Sequence, residues 1–136
     1  MGESVHDNYL LGYEVRHTVR EIRLRTEFRH SDPPERTDVV FAGVVAYGFK
    51  HDALYLGTIL FDVEEVDPIS IWQECAEEFA EGLRYGWPGD WASSPEAAAS
   101  FFEANRVRGF GVSSSCGLTG WVLAASMRIE AGQQAG

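Results

Sequence analysis

The stretch Val39-Val40-Phe41-Ala42-Gly43-Val44-Val45-Ala46-Tyr47-Gly48-Phe49 is apolar at odd and even positions alike. A half-buried strand alternates apolar with polar residues. A continuous run rich in β-branched and aromatic side chains suits a strand covered on both faces, so the stretch predicts one central strand. Leu54 to Val63 is a second such run, reached through the short polar turn Lys50-His51-Asp52. Upstream, Leu11, Tyr13, Val15 and His17 alternate with Gly12, Glu14 and Arg16, and Ile22, Leu24, Thr26 and Phe28 alternate with Arg23, Arg25, Glu27 and Arg29. Period two marks antiparallel strands with one solvated face. The loop His30-Ser31-Asp32-Pro33-Pro34-Glu35-Arg36 then interrupts, because two prolines cannot donate to a ladder. A meander of four antiparallel strands over residues 9 to 65 is expected.

Downstream the period changes to helical. Asp67 is a good N-cap and Pro68 fits the first helical position, where no N–H is needed. Trp72, Cys75, Ala76, Phe79 and Leu83 fall on one helical face, Glu74, Glu78 and Glu81 on another with Glu77 beside them, and Gly86 and Pro88 end the run. Ser93 and Glu96 match a capping box for a second helix striped by Ala98, Phe101 and Phe102. Val107 to Ser115 and Leu118 to Ile129 then form a hairpin turning near Cys116-Gly117. Strands, helices, then strands make an α+β fold: a mostly antiparallel sheet of about six strands (four-strand N-terminal meander plus C-terminal hairpin) with two helices packed on one face. The length of 136 residues allows a single domain over 1–136, with its ordered core at 8–130.

Eleven Lys and Arg against 21 Asp and Glu give a formal net charge of -10. That field repels a phosphate backbone and an anionic lipid surface, so neither nucleic acid nor membrane is an expected partner. No apolar run is long enough to span a bilayer. The start Met1-Gly2-Glu3-Ser4-Val5-His6-Asp7 carries no basic-then-apolar leader, and His6 breaks the myristoylation pattern; a cytoplasmic setting is expected. Cys75 and Cys116 belong to no Cys/His cluster and read as reduced thiols. A single lysine, Lys50, against ten arginines suggests a GC-rich bacterial genome. Charge is uneven along the chain, since residues 52 to 103 hold twelve acids and one base, Arg84. With no linker or repeat, this predicts one acidic face.

No catalytic residue, metal ligand set or cofactor motif stands out. Cys116 has Val122 where a phosphatase-type loop needs arginine, and no Gly-x-Ser-x-Gly occurs. Asp62 and Glu64 share a strand face and could address one metal or water, yet they also suit a solvated strand exit before a helix start. Gly109-Phe110-Gly111 lacks the third glycine of a dinucleotide loop. Tyr85-Gly86-Trp87-Pro88-Gly89-Asp90-Trp91 puts two tryptophans in a turn, either as a partner hot spot or as a seal over the core edge. Arg16, Arg20, Arg23, Arg25 and Arg29 should meet Glu14, Glu21 and Glu27 across strands, or else receive the acidic helix of a second copy in a homodimer.

The segments 39–47, Gly57-Thr58-Ile59-Leu60-Phe61-Asp62-Val63-Glu64-Glu65, Trp87-Pro88 and Gly117-Leu118-Thr119-Gly120-Trp121-Val122-Leu123-Ala124 together resemble a group of short bacterial proteins of uncharacterised function. The likeness spans residues 9 to 129; it implies a stand-alone cytoplasmic domain and supplies no catalytic residue. Two functions follow. One is a non-catalytic protein-interaction module that turns Glu74, Glu77, Glu78, Glu81, Trp87 and Trp91 toward a basic protein, with immunity to a nuclease toxin as its sharpest form. The other is a small enzyme or ligand-binding domain with a pocket between sheet and helices, served by His17, Asp62 and Glu64.

Overall fold

Gly43 breaks the apolar run at 39–49 in two. Its φ of +65° is a left-handed backbone that residues with a Cβ rarely adopt, and it lies between β3 (Glu35–Ala42) and β4 (Ala46–His51). The structure is a computed structural model that describes residues 8–51, 60–114 and 118–132. The other strands are β1 (Tyr9–Arg16), β2 (Glu21–Phe28), β5 (Leu60–Val66), β6 (Arg108–Ser114), β7 (Leu118–Ala124) and β8 (Ser126–Ala131). They form two four-stranded sheets, β1-β2-β3-β8 and β4-β7-β6-β5, in which every neighbouring pair is antiparallel. The expected single sheet of about six strands is therefore two sheets of four.

The physical reason is a paired crossing. The stretch Leu118 to Ile129, expected as one strand, also breaks, at Ala125. Both stretches run side by side from one sheet into the other, with Ala42 opposite Ser126 in the first and Ala46 opposite Leu123 in the second. Between these pairs three residues, 43–45, face two, 124–125. This is a bulge, which bends a strand while keeping its ladder. Val45 N donates to Leu123 O at 2.9 Å and Ala125 N to Ala42 O at 3.0 Å. The meander consequently stops at three strands. The fourth, expected over Leu54 to Val63, lies partly outside the described residues; its described part belongs to β5, which pairs with β6 and not with β4. The β6–β7 hairpin pairs as expected, with Gly111 opposite Trp121, and its turn lies outside the described residues.

The sheets stack face to face. Ile22, Leu24, Val39 and Phe41 of the first pack on Phe110, Val112, Leu118, Val122 and Ala124 of the second, with the Phe41 and Phe110 rings 5.4 Å apart. The second sheet's far face presents Ala46 and Leu123, beside Val107, to Ile71, Cys75, Phe79, Ala92, Ala98 and Phe102 of the helical layer. It is thus the middle of three layers, which explains why β7 is apolar on both faces.

Three α-helices are found among the described residues, where two were expected. The first run divides into α1 (Pro68–Glu74) and α2 (Ala76–Leu83) at Cys75, whose ψ of 10° bends the path. Cys75 N still donates to Ile71 O and Phe79 N to Cys75 O, so one buried stripe, Ile71-Cys75-Phe79, continues across the bend. Asp67 caps α1 as expected, accepting from Ile69 N at 3.0 Å. In α3 (Pro95–Ala104) the cap is Ser94, which accepts from Ala97 N at 3.0 Å. Ser93 instead ends a 3₁₀ turn at Asp90–Ser93; the cap moves by one residue, and the expected Ser93–Glu96 box is not formed, because Ala97 stands three residues after Ser94.

A Cβ at Gly43 would lie 2.8 Å from that of Ala125. Gly43→Ala should therefore cost about 1–3 kcal/mol in urea unfolding, from strained backbone and this contact together. Gly12→Ala, with nothing within 4 Å of its added Cβ, should cost well under half of that. Equal effects at the two positions would contradict the role given to the crossing.

Candidate functional site

The helical layer carries the acidic surface. Glu74, Glu77, Glu78 and Glu81 are all exposed. Residues 67–104 hold eight acids and one base, Arg84, whose Nη1 meets Glu81 at 3.3 Å from three positions along. The helix periodicity explains the segregation, because Ile71, Cys75 and Phe79 face inward and leave the glutamates on the solvent side.

The two tryptophans of the following loop part company. Trp91 stacks on Phe101 with ring centroids 5.1 Å apart and planes 10° from parallel, and it also touches Phe79 and Phe102. It seals the helical layer, and Trp72 Nε1 donates to Ala92 O at 3.0 Å beside it. Trp87 packs one side against Phe79, centroids 5.3 Å apart, in room that Gly82 leaves, since a Cβ there would run into its Cε3. It remains 41% exposed, and Tyr85 next to it is 86% exposed. Trp87 thus holds an exposed face at the end of the glutamate stripe, and Trp91 does not.

A cavity of about 510 Å³ opens between the two sheets, not between sheet and helices. One wall is the tip of the β1–β2 hairpin (Val15, Arg16, His17, Arg20, Glu21, Ile22), the other is Val44 to Phe49, and Trp87 adds to the lining. Of the expected polar set His17, Asp62 and Glu64, His17 lines it and Glu64 does not. Glu64 is exposed on β5, at the opposite edge of the second sheet from β4, and the Asp62 side chain lies outside the described residues. Among the described residues the strand order keeps Glu64 away from His17.

The arginine ladder is mostly compensated, in part across strands, as in Arg25–Glu14 and Arg16–Glu21, and in part by neighbours two residues along the chain, as in Arg29–Glu27. Arg25 meets Glu14 at 2.9 Å, Arg29 meets Glu27 at 3.0 Å, and Arg16 lies between Glu14 and Glu21 at 3.2 and 3.4 Å. Arg23 is the hub, with Nη1 2.8 Å from Asp38 and 2.6 Å from Glu130. Asp38, Glu130 and Arg128 were not foreseen as members; they arrive because β3 and β8 lie beside β2. Val40 opposes both Arg23 and Arg128 and is fully buried on this outer face, as arginine stems can cover an apolar side chain while their heads reach water. The guanidiniums hold the carboxyls of Glu14, Glu27 and Glu130 below the usual range, chiefly by hydrogen bonds from Arg25, Arg29 and Arg23 respectively. At the rim of the sandwich, Arg108 does the same to Glu65, Nε donating to Oε2 at 2.8 Å. Arg20 takes no part in the network.

Cys75 is buried on the helix stripe. Its thiol is pushed up to about 11, first by burial and then by Glu78 and Glu74. Cys116 lies outside the described residues. Among the described residues no group of three His, Cys, Asp or Glu could hold a metal ion, and no helix is long and apolar enough to cross a membrane.

No protein-family model, no curated protein and no solved structure matches this chain.

Two outcomes follow from the charges. Lowered carboxyl values mean that the folded state favours the ionised Glu14, Glu27 and Glu130. Their contribution is complete above the ordinary glutamate value of 4.5 and is lost as pH falls through the lowered folded values. Urea midpoints should hold between pH 7 and 5.5 and drop below about pH 4.5, with a shallower drop in Arg23→Met, where the hub is absent. In a Cys116→Ser chain, a thiol that ionises near 11 should resist an aromatic disulfide reagent at pH 8 until denaturant is added. Rapid labelling of the native state would place Cys75 outside the core.

Proposed function

We propose that this chain is a non-catalytic protein-interaction module whose helical surface receives a basic protein partner. The observation that carries this reading is the placement of Glu74, Glu77, Glu78 and Glu81, all exposed, on the helices that run into the exposed pair Tyr85 and Trp87. Interfaces concentrate binding energy in a few aromatic anchors, while charges at the rim set the rate and the choice of partner. Trp87 fits the first role, because Phe79 and the gap above Gly82 already fix its indole. The glutamates fit the second. Only Arg84 offsets them within residues 67–104, so their field extends outward and is not spent on internal pairs. Trp91 drops out of the expected contact set, since it serves the helical layer. The setting this reading assumes is the bacterial cytoplasm, and neutralisation of a basic toxin is its sharpest form.

The test begins with a photo-cross-linking amino acid at position 77, and at position 96 on α3 as control, to capture the partner in cells. A basic protein captured from 77 and not from 96 is expected. Against it, the triple variant Glu74→Lys, Glu78→Lys, Glu81→Lys should associate about tenfold more slowly at low salt, and the deficit should shrink as salt rises. Its stability should move by less than about half a kcal/mol per site. Trp87→Ala should raise the dissociation rate, costing about 2 kcal/mol of affinity. Association by the triple variant at the parent rate in low salt would end the acidic-surface reading.

A further inference from the structure

Among the described residues β4 is an edge strand, paired with β7 on one side only. Six consecutive residues, 44–49, line the cavity between the sheets. A strand that offers a face to a cavity lines it with every second residue. Consecutive lining means that the cavity runs along the edge of the strand, where backbone N–H and C=O groups project. Just before the strand begins, Val44 N donates to Arg20 O at 2.9 Å, where the β1–β2 hairpin tip comes alongside. Past that point the hairpin turns back, and among the described residues no strand pairs with the free side of β4.

The facing wall is basic. Glu21 is its one acid, and it is compensated by Arg16 at 3.4 Å and Arg128 at 3.5 Å. Arg16 is shared with Glu14. Arg20 and His17 make no side-chain hydrogen bond or ion pair among the described residues, which leaves Arg20 as an uncompensated cation at the mouth of the groove. Tyr47 and Trp87 add aromatic surface. In a chain of net charge -10, this is a local reversal of sign beside an open ladder.

We propose that this groove binds an extended acidic peptide segment, which adds to the edge of β4 as a fifth strand of the second sheet. Main-chain hydrogen bonds to β4 supply affinity, as in other strand-addition complexes, and side chains of alternate residues supply choice. Carboxylates on the side of the segment facing the hairpin tip meet Arg20, His17 and Arg16. A large side chain reaches Tyr47 and Trp87. The groove shares Trp87 with the acidic helical surface, but it rests on the β4 edge and the hairpin tip, which that surface does not use, so the peptide tests it separately.

The probe is an acetylated, amidated peptide of about eight residues, alternating valine and glutamate with one central tyrosine. It should bind by fluorescence anisotropy and slow amide hydrogen exchange at residues 46–50. The same peptide N-methylated at alternate amides, with its charges intact and its donors removed, should bind at least about tenfold more weakly. A lysine-for-glutamate version should not bind. Arg20→Asn removes the free cation at a left-handed residue that asparagine tolerates, so the fold should persist while affinity falls about fivefold at low salt. Equal binding of the N-methylated and parent peptides would overturn strand addition. Equal binding of the lysine peptide would overturn the acidic requirement. A dimer in sedimentation, with the β4 amides protected in the absence of peptide, would assign the edge to a second copy of the chain and likewise overturn the proposal.

Discussion

Everything in this fold hangs on a hydrogen-bonded ladder that changes sheets without being cut. Ala125 N lies within hydrogen-bonding distance of both Ala42 O, at 3.0 Å, and Gly43 O, at 3.2 Å, at the point where both long strands leave one sheet for the other. A buried backbone group left without a partner would cost as much as a lost hydrogen bond. The crossing can therefore occur only where an extra residue and a left-handed turn keep the donors matched. Gly43 supplies both that conformation and the missing Cβ that lets Ala125 approach. Because the crossing sends β4 and β7 into the second sheet together, that sheet becomes a middle layer. Because β2 stays behind, β4 is left with one partner among the described residues. The core and the cleft are two consequences of one bend.

Charge follows the same layering. The first sheet has water on its outer face, and there acids and arginines from four strands neutralise one another around Arg23. Such exposed pairs add little stability singly, and their larger effect is to cancel the field on that side. The helical layer has no comparable partners: eight acids against Arg84 account for seven of the ten net negative charges. The asymmetry in the sequence is thus a spatial one, with a neutralised sheet face and an acidic helix surface on opposite outer layers of the molecule.

What could be read from the sequence was whatever depends on neighbours along the chain. The alternation of Ile22, Leu24 and Thr26 gave β2 its inward face, and Asp67-Pro68 marked the start of α1. The exposed glutamate stripe followed from helical spacing alone. The crossing was less legible. An uninterrupted apolar run says that both faces are covered, and it says the same when the covering layers change identity halfway. Gly43 was the one local sign, and at Ala125 there was none. The cleft could not be read at all, because its walls lie at residues 15–22 and 44–49 and meet only once the strand order is known. For the same reason Asp62 and Glu64 were grouped with His17, although β5 and β4 are opposite edges of one sheet.

The two tryptophans show why side-chain type alone does not identify a binding residue. Both sit in a glycine- and proline-rich turn, and both touch Phe79. Trp91 is half-buried, stacked on Phe101 and edge-on to Phe79, so much of its apolar area is already spent on folding. Trp87 is held on one side only, by Phe79 and the space above Gly82, with 41% of its surface in water. A large aromatic that folding has fixed on one side has little rotamer freedom left to lose on the other. Binding then recovers its hydrophobic contribution with a small entropic cost. What sets Trp87 apart is the missing Cβ at position 82, which turns a loop aromatic into a preorganised surface.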